Sequence, residues 1–334
     1  MAARGKVVIT DFVAGALDAE QRILGDLADV VAFAARHEDE LAGHIEDADA
    51  VMMYHTIAIT ERTINALTRC RLIVRCGVGV DNVDHAAAGR RGIAVANVPD
   101  YGTEDVADTA LAMGLALARG THLLNSRLRR GEGAWSHTQA APLRRLRGQT
   151  FVIIGLGRIG IAAAVRARAF GMRVAFFDPY VSEGMDKALG IERIESLPEL
   201  LGLAHIVSMH CPLTAETHHL LSRKTIAQMR RGSFLVNTGR GALVDPDALL
   251  EALESGHLGG AGIDVLEQEP PDPNLPLVRA WRDPAHPAHD RLILTPHAAF
   301  YSEEGLMDMR VKGSENCRRA LLGEPLRNVV NAAS

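Results

Sequence analysis

Three features are absent from this sequence, and each absence excludes a class of protein. Cysteine pairs at the short spacing of a zinc site or a redox dithiol are missing, since the four cysteines are Cys70, Cys76, Cys211 and Cys317. No apolar run is long enough to span a bilayer. No basic run occurs in this chain of net charge -5, so it lacks the electrostatic surface of a nucleic-acid binder. We therefore expect reduced thiols and neither a nucleic acid nor a membrane as partner.

The N-terminal segment is not expected to be a targeting signal. After Met1, a short basic stretch leads straight into the strand pattern Lys6-Val7-Val8-Ile9-Thr10, without the length or the cleavage site of a signal peptide. On this basis we expect a cytoplasmic protein.

The composition is that of a soluble globular protein, and the length favours two domains. Hydrophobic residues make up 47% of the chain and charged residues 23%. A chain of 334 residues exceeds what one hydrophobic core usually serves. Short apolar runs alternate with amphipathic stretches almost from end to end, as in βαβ units. We predict an α/β protein of two Rossmann-like or flavodoxin-like domains, each with a parallel sheet and helices on both faces, and a cleft between the domains.

Two series of strands are predicted, one for each sheet. The first series comprises Lys6 to Thr10, Val30 to Phe33, Ala50 to Tyr54, Leu72 to Arg75 and Ile93 to Ala96. The second comprises Phe151 to Ile154, Val174 to Phe177, Ile206 to His210, Phe234 to Val236, Gly262 to Val265 and Leu292 to Leu294. An apolar helix, Val106 to Ala118, and an exposed arm separate the two series.

The end of the sequence suggests a discontinuous domain. A helical pattern from Glu303 to Leu322 follows the second series of strands. We predict that it returns to the first domain, so that residues 1–100 and 301–334 form one domain and residues 101–300 the other. Pro270 to Pro287, with six prolines, is predicted to be the longest loop.

A glycine motif between a strand and a helix predicts a dinucleotide site. Gly155-Leu156-Gly157-Arg158-Ile159-Gly160 follows the strongest strand and opens a helical pattern. Its glycines would allow a tight turn, close approach of a pyrophosphate and close helix packing. Asp178 ends the next strand, where an acid accepts hydrogen bonds from the adenine ribose and repels a 2′-phosphate. The sequence therefore favours NAD over NADP.

Three further motifs carry a resemblance to a known family. They are Val236-Asn237-Thr238-Gly239-Arg240-Gly241, Asp264-Val265-Leu266-Glu267-Gln268-Glu269-Pro270 and Thr295-Pro296-His297-Ala298-Ala299. They occur in this order after a mid-chain glycine motif, and over essentially its whole length the sequence resembles the D-isomer-specific 2-hydroxyacid dehydrogenase family. The resemblance implies hydride transfer between nicotinamide and a small 2-oxo or 2-hydroxy acid. It also implies that the domain of residues 101–300 binds NAD and that the discontinuous domain binds the substrate.

The chemistry of such a reaction fits three side chains in these motifs. Arg240 can pair bidentately with a carboxylate and polarise the carbonyl. His297 titrates near neutrality and suits proton transfer as general acid and base. Glu269 would orient the imidazole and favour its charged form. Each follows a predicted strand directly, where ligands bind in open α/β sheets.

The resemblance implies two further sets of binding residues. For the cofactor these are Gly155, Gly157, Arg158, Ile159, Gly160, Asp178, Pro179, Cys211, Thr217, Thr238, Asp264 and Thr109. For the substrate they are Tyr54, His55, Arg75, Gly77, Val78, Gly79 and Phe300. The glycine-rich loop after Arg75 could cradle a carboxylate with backbone N–H groups, or it could be a plain turn. Tyr54 and His55 could line the pocket or serve only the structure.

Within the family, the sequence is most similar to the C-terminal-binding-protein branch, which includes transcriptional corepressors. The segments Met53 to Thr56, Asn97 to Pro99, Phe177 to Tyr180 and His297 to Glu303 carry this similarity. Phe300 stands where that branch has a tryptophan, so a differently shaped apolar pocket is expected. Gly239, where alanine or serine is usual, and the long proline-rich loop are two further departures. Val106 to Ala118 with the arm Thr121 to Trp135 resembles the dimer-forming segment of the family, so we expect a homodimer.

The sequence leaves two other functions open and raises the question of a metal site. One alternative is an NAD-sensing interaction protein with little turnover, and the other is a dehydrogenase of the same fold for phosphoglycerate, formate or phosphite. His218-His219 and His286 with His289 invite a metal site, but no cluster of cysteine, aspartate or glutamate accompanies them at ligand spacing, and hydride transfer needs no metal. We therefore expect no metal.

Overall fold

A computed structural model describes residues 4–331 and divides the chain into two compact units. The first unit is Met1–Gly102 with Ser302–Ser334, and the second is Thr103–Tyr301. Twelve strands lie in the described residues: β1 Gly5–Ile9, β2 Ala28–Ala32, β3 Ala50–Met53, β4 Leu72–Arg75, β5 Ala94–Asn97, β6 Thr150–Ile154, β7 Arg173–Phe177, β8 Glu192–Arg193, β9 Ile206–Met209, β10 Ser233–Asn237, β11 Leu258–Ile263 and β12 Leu292–Leu294.

Twelve α-helices connect or cover these strands in residues 4–331. They are α1 Asp18–Leu24, α2 Glu61–Ala66, α3 His85–Arg90, α4 Thr103–Arg119, α5 Thr121–Arg129, α6 Arg158–Ala169, α7 Met185–Leu189, α8 Leu197–Leu203, α9 Arg223–Ile226, α10 Pro246–Glu254, α11 Pro276–Arg282 and α12 Glu303–Leu322. None of these helices combines the length and the apolar character that a membrane crossing needs.

The first unit is built on a five-stranded parallel sheet in the order β2-β1-β3-β4-β5. Every residue of β3 and β4 is buried, as expected for strands covered on both faces. Helix α12 packs against these two strands, and a Cβ at Gly313 would lie 2.8 Å from Cys76 Sγ and 2.9 Å from Met52 Cε. Glycine therefore lets the helix approach the sheet closely. The helix predicted from Glu303 to Leu322 is confirmed.

A buried ion pair ties α12 to α1 within the first unit. The Glu20 side chain is fully buried, and both of its oxygens accept hydrogen bonds of 2.6 Å from Arg310. A buried carboxylate is costly unless it is paired, and this bidentate contact provides the pairing.

The second unit is built on a seven-stranded parallel sheet in the order β12-β11-β10-β9-β6-β7-β8. From β6 the strand order runs in one direction through β7 and β8, and in the other through β9 to β12. Such a reversal opens a crevice beyond the carboxyl ends of the strands, and this is where doubly wound sheets bind ligands. Both parallel α/β sheets agree with the predicted fold class.

The structure corrects three details of the predicted secondary structure. β8 was not predicted, because its two residues at the sheet edge carry no apolar pattern. β11 begins at Leu258 and ends at Ile263, earlier than the predicted strand. The prediction missed its first half because Gly259 and Gly260 interrupt the apolar pattern. A Cβ at Gly260 would lie 2.8 Å from the carbonyl oxygen of Arg291, so glycine here serves packing.

The third correction concerns the proline-rich segment Pro270 to Pro287, which is not all loop. It contains α11, with Pro276 in its first turn and Leu277, Val278 and Ala280 buried. Proline is well accommodated at the start of a helix, where its missing N–H has no partner to lose. The proline count therefore concealed a helix that contributes to the core.

Candidate active site

The turn between β6 and α6 gives each motif glycine a different spatial role. Gly155 has φ of +92°, and a Cβ there would lie 2.5 Å from the backbone nitrogen of Cys211. A Cβ at Gly160 would lie 2.2 Å from the carbonyl oxygen of Gly155. A Cβ at Gly157 would meet nothing within 4 Å. The turn therefore leaves open space at the middle glycine, where the motif requires approach of a pyrophosphate.

Asp178 lies beside this turn, directly after β7. Its Oδ2 accepts a hydrogen bond of 2.8 Å from the backbone of Leu156, and its Oδ1 accepts one of 2.9 Å from the backbone of Tyr180. These bonds hold the carboxylate at the carboxyl end of the sheet. The neighbouring Pro179 is exposed, and the Tyr180 hydroxyl hydrogen-bonds to Glu216.

Four more of the predicted cofactor residues lie in segments that follow β6 and β9. Arg158 and Ile159 form the first turn of α6, where N–H groups can bind an anion. Cys211 follows β9, and burial raises the pKa of its thiol to about 11, so the thiol is neutral at physiological pH. The hydroxyl of Thr217 donates to the carbonyl of Pro212 at 2.7 Å and closes the following loop.

Thr238 carries the clearest sign of a ligand-binding position in this unit. It is only 9% exposed, and its Oγ1 is buried without a hydrogen-bond partner among the residues described. A buried hydroxyl without a partner is unfavourable, so its position favours a ligand with a polar group. Together with the space at Gly157 and the carboxylate of Asp178, it fits a dinucleotide.

Arg240, Glu269 and His297 follow three strands that are neighbours in the sheet. Arg240 comes after β10, Glu269 after β11 and His297 after β12. The carboxyl ends of these parallel strands meet at one edge, which also carries the glycine turn after β6. Arg240 and His297, which are 57 positions apart in the chain, therefore follow strands that end at the same edge of the sheet.

His297 and Glu269 are in direct contact. The imidazole Nδ1 lies 2.6 Å from Glu269 Oε2, and Glu269 Oε1 accepts a hydrogen bond of 2.8 Å from the backbone of Leu266. The two side chains are 22% and 33% exposed, so solvent still reaches the pair. The second bond orients the carboxylate, which in turn orients the ring.

Asp264 anchors the turn that carries His297. Its buried carboxylate accepts hydrogen bonds from the Thr295 hydroxyl at 2.6 Å and from the backbones of Ala298 at 2.9 Å and Ala299 at 3.0 Å. His297 itself has φ of +52°, a left-handed backbone that non-glycine residues seldom adopt. The hydrogen bonds of Asp264 hold the histidine in this conformation. The sequence predicted Asp264 as a cofactor residue and missed this positioning role.

Thr109 and Phe300 lie at the same turn. The Thr109 hydroxyl donates to the carbonyl of Ala299 at 3.3 Å. The Phe300 ring is 8% exposed and stands edge-on to the imidazole of His297, with ring centroids 6.1 Å apart. Phe300 therefore presents an apolar surface next to the histidine.

Asn237 was missed by the sequence analysis, although it ends the strand before Arg240. Its buried Oδ1 accepts a hydrogen bond of 3.0 Å from the backbone of Gly239, and its Nδ2 donates to the carbonyl of Arg240 at 2.9 Å. The amide thus holds both ends of the short loop that presents the guanidinium. A polar residue at the end of an apolar strand was the signal that could have identified it.

The predicted substrate residues of the first unit cluster at the carboxyl ends of β3 and β4. Arg75 is the buried last residue of β4, and a Cβ at Gly77 would lie 1.6 Å from its Nη1. The N–H of Gly77 donates to the carbonyl of Arg75 at 2.8 Å and is therefore engaged within the loop. Val78 is 38% exposed, and Gly79 is half-buried.

Tyr54 and His55 differ in exposure. Tyr54 is buried and stacks on Phe12 with ring centroids 5.2 Å apart, and burial raises the pKa of its hydroxyl well above the usual value. His55 is half-buried, and its ring centroid lies 4.9 Å from that of the same phenylalanine. Of the two, His55 is the more accessible to a ligand.

Folding places a carboxylate beside the adjacent histidines, which the spacing of acidic residues in the sequence did not predict. Folding brings Glu267 to His219, with 2.5 Å between Oε1 and Nε2, and His218 stacks on His219. The three possible ligand atoms lie within 4.8 Å of one another. The sequence could not show this, because 48 residues separate the carboxylate from the imidazole.

Comparisons with known proteins agree on one family. Residues 111–299 match the family model described as D-isomer specific 2-hydroxyacid dehydrogenase, NAD binding domain. The chain is 36% identical to D-3-phosphoglycerate dehydrogenase of Methanocaldococcus jannaschii over 93% of its length, and 35% identical to C-terminal-binding protein 1 of Caenorhabditis elegans over 91%. It spans about half of these relatives, 57% of the first and 42% of the second.

A solved structure extends the similarity to the whole fold. It is that of a D-lactate dehydrogenase from Aquifex aeolicus complexed with NAD and lactic acid. The TM-score is 0.87 at 28% identity, and the match covers 98% of this chain and all of the other.

The motif glycines predict two different mutant phenotypes. Gly157→Ala should fold with near-normal stability but bind NADH at least ten-fold more weakly, because its methyl group enters only the space for the pyrophosphate. Gly160→Ala should lower the melting temperature, because its methyl group meets backbone at 2.2 Å. Fluorescence titration with NADH and thermal unfolding measure the two effects. Wild-type NADH affinity in Gly157→Ala would contradict the assignment of this space.

Proposed function

Because this chain belongs to the D-isomer-specific 2-hydroxyacid dehydrogenase family, we propose that it catalyses the reversible, NAD-dependent reduction of a 2-oxo acid to the D-2-hydroxy acid. The observation that carries the proposal is the contact between His297 Nδ1 and Glu269 Oε2 at the sheet edge that also presents Arg240. This arrangement supplies a cation for the substrate carboxylate and a histidine for proton transfer.

The cofactor residues proposed here are those that fit a dinucleotide in three respects. Gly157 offers room for the pyrophosphate, Asp178 offers a carboxylate for the ribose hydroxyls, and Thr238 offers an unpaired hydroxyl. NAD, when bound, supplies the hydride donor or acceptor for the reaction. Asp178 also disfavours a 2′-phosphate, since two negative groups would meet in one site.

In the proposed mechanism, Arg240 binds the substrate carboxylate through its planar fork and polarises the adjacent carbonyl. Glu269 contacts Nδ1 of His297, so we assign Nε2 to proton transfer with the substrate oxygen. In the direction of reduction, the imidazolium gives its proton to the oxygen as negative charge develops there. In the direction of oxidation, the neutral imidazole takes the hydroxyl proton. The negative charge of Glu269 stabilises the imidazolium in both directions.

The substrate class follows from Phe300. Its ring lies edge-on to the imidazole of His297, with ring centroids 6.1 Å apart, and places an apolar surface beside the proposed proton donor. We propose 2-oxo acids with an apolar side chain, because a phenylalanine offers no partner to a phosphate or a second carboxylate. Two outcomes compete with this proposal. One is a different acid substrate, as the relative named phosphoglycerate dehydrogenase suggests, and the other is an NAD-binding protein with little turnover, as the relative named C-terminal-binding protein suggests.

The arm Thr121 to Trp135, which follows α4, is the surface through which we propose that the chain forms a homodimer. Helix α5 has no buried residue, and Trp135 is 90% exposed. Exposed aromatic side chains of this kind are typical of an interface. We propose that a second copy of this chain covers the arm.

The first prediction from this proposal concerns substrate and cofactor. NADH oxidation should accelerate with 2-oxo acids that carry short, branched, thioether or aromatic side chains, and NADPH should support at least ten-fold lower kcat/KM. Phe300→Ala should change the ranking of the acids more than it weakens NADH binding. Absorbance at the NADH band across the panel measures this. NADH binding without turnover of any acid would favour the sensing protein instead.

The second prediction separates the roles of the site residues. His297→Ala should lower kcat by roughly two to four orders of magnitude with NADH binding retained, as expected for loss of a general acid. Glu269→Gln should move the alkaline fall in reduction activity, where the proton donor loses its proton, to lower pH, because it removes the charge that favours the imidazolium. Arg240→Lys should recover little of the activity lost in Arg240→Ala.

The control for these variants is Glu267→Gln, which removes a carboxylate two residues away that has no assigned part in proton transfer. Its pH profile in metal-free buffer should match that of the unmodified protein. An unchanged profile in Glu269→Gln, or near-normal turnover in His297→Ala, would rule out the proposed proton transfer.

The last prediction tests the dimer. Sedimentation at micromolar concentration should give twice the mass of the chain, and a charged residue in place of Trp135 should shift the equilibrium towards monomer. A clean monomer of the unmodified protein would contradict the proposal.

A further inference from the structure

The cluster of His218, His219 and Glu267 lies outside the proposed catalytic residues and combines the ligand types of a transition-metal site. Two imidazoles and one carboxylate offer three ligand atoms within 4.8 Å of one another. His218 and Glu267 are exposed, and His219 is half-buried, so an ion can reach the cluster from solvent. Two histidines with one carboxylate, and a further position open to water, form a common ligand set for Zn²⁺.

The backbone around the cluster aligns the ligands. His219 has φ of +48°, and its N–H donates to the carbonyl of Ala242 at 2.7 Å. This left-handed conformation folds the chain so that the rings of His218 and His219 stack, with centroids 4.1 Å apart and planes 29° apart. Adjacent residues would present their side chains in divergent directions in a regular strand. Here both imidazoles face the same carboxylate.

Glu267 is held in place by contact between two loops. A Cβ at Gly241 would lie 2.3 Å from the backbone nitrogen of Glu267, so the segment of Glu267 packs directly on the loop that follows Arg240. The same loop binds His219 through Ala242. Both sides of the cluster therefore rest on residues 241–242, which limits their separation.

The spacing of the ligand atoms is suitable after a small adjustment of the side chains. Zn–N and Zn–O bonds of about 2.0–2.1 Å place tetrahedral ligand atoms roughly 3.4 Å apart. His219 Nε2 and Glu267 Oε1 are 2.5 Å apart in their hydrogen bond and have to separate by about 1 Å, whereas the longer separations, which stay within 4.8 Å, have to shorten. Rotation of the exposed His218 and Glu267 side chains supplies the adjustment.

From this geometry we propose that His218, His219 and Glu267 form a site for a divalent transition-metal ion of the Zn²⁺ class. The ion takes the place of the hydrogen between His219 Nε2 and Glu267 Oε1, the proton is released to solvent, and water completes the coordination. Imidazole and carboxylate ligands favour Zn²⁺, Co²⁺ or Ni²⁺ over Mg²⁺, which prefers oxygen ligands. The site does not require the proposed dehydrogenase activity.

The experiment is a titration of tag-free full-length protein with Co²⁺ and then Zn²⁺, without nicotinamide cofactor or substrate. One equivalent of Co²⁺ should give the visible absorption of a four- or five-coordinate ion, and Zn²⁺ should displace it. His218→Ala, His219→Ala and Glu267→Gln should each weaken binding at least ten-fold, since even outer-shell changes cost ten-fold or more. Mg²⁺ should not compete.

The matched control is His286→Ala. His286 and Glu254 form a similar pair, with Nε2 3.1 Å from Oε1 and comparable exposure, but no second histidine completes a three-ligand group there among residues 4–331. This variant should bind Co²⁺ like the unmodified protein. Absence of stoichiometric binding, or binding unaffected by all three ligand variants, would overturn the proposal. His297→Ala, inactive under the proposed function, should retain full binding, so the two proposals fail separately.

Discussion

The burial of one carboxylate, that of Asp264, is the constraint on which the geometry of the candidate site depends most. A buried carboxylate must receive hydrogen bonds, and Asp264 obtains them from the turn immediately after the neighbouring strand. The same bonds hold His297 in a left-handed backbone conformation. The solvation requirement of one side chain thereby determines the position of another, and the contact of His297 with Glu269 follows from it.

The parallel sheet explains why only a few side-chain hydrogen bonds are needed to position the candidate site residues. Each strand of the second unit delivers its following loop to one edge, so the glycine turn, Arg240, Glu269 and His297 need only short segments to meet. Asn237 and Asp264 then adjust these loops locally through side-chain hydrogen bonds to backbone. Strand order sets the coarse positions, and two buried polar side chains set the fine ones.

Motifs and periodicity were enough to predict the α/β class, most strands and the helix Glu303–Leu322, because buried parallel strands and amphipathic helices leave strong patterns. They failed at β8, at the start of β11 and in α11, where an edge strand, glycines and prolines obscure the pattern. In the candidate site, chemistry singled out Arg240, Glu269 and His297 from the motifs, and the contact of His297 with Glu269 supports that choice. The contact between Glu267 and His219 could not be predicted, because it joins residues 48 positions apart and depends on three-dimensional proximity.

The close packing at Gly241 has a consequence for protein engineering. A Cβ there would lie 2.0 Å from the carbonyl carbon of Leu266, so the loop of Arg240 and the segment leading to Glu269 touch backbone to backbone. A designer who grafts a loop from a relative to alter specificity therefore has to transplant residues 238–243 and 264–270 together. Exchanged singly, either segment would meet a surface shaped for a different neighbour.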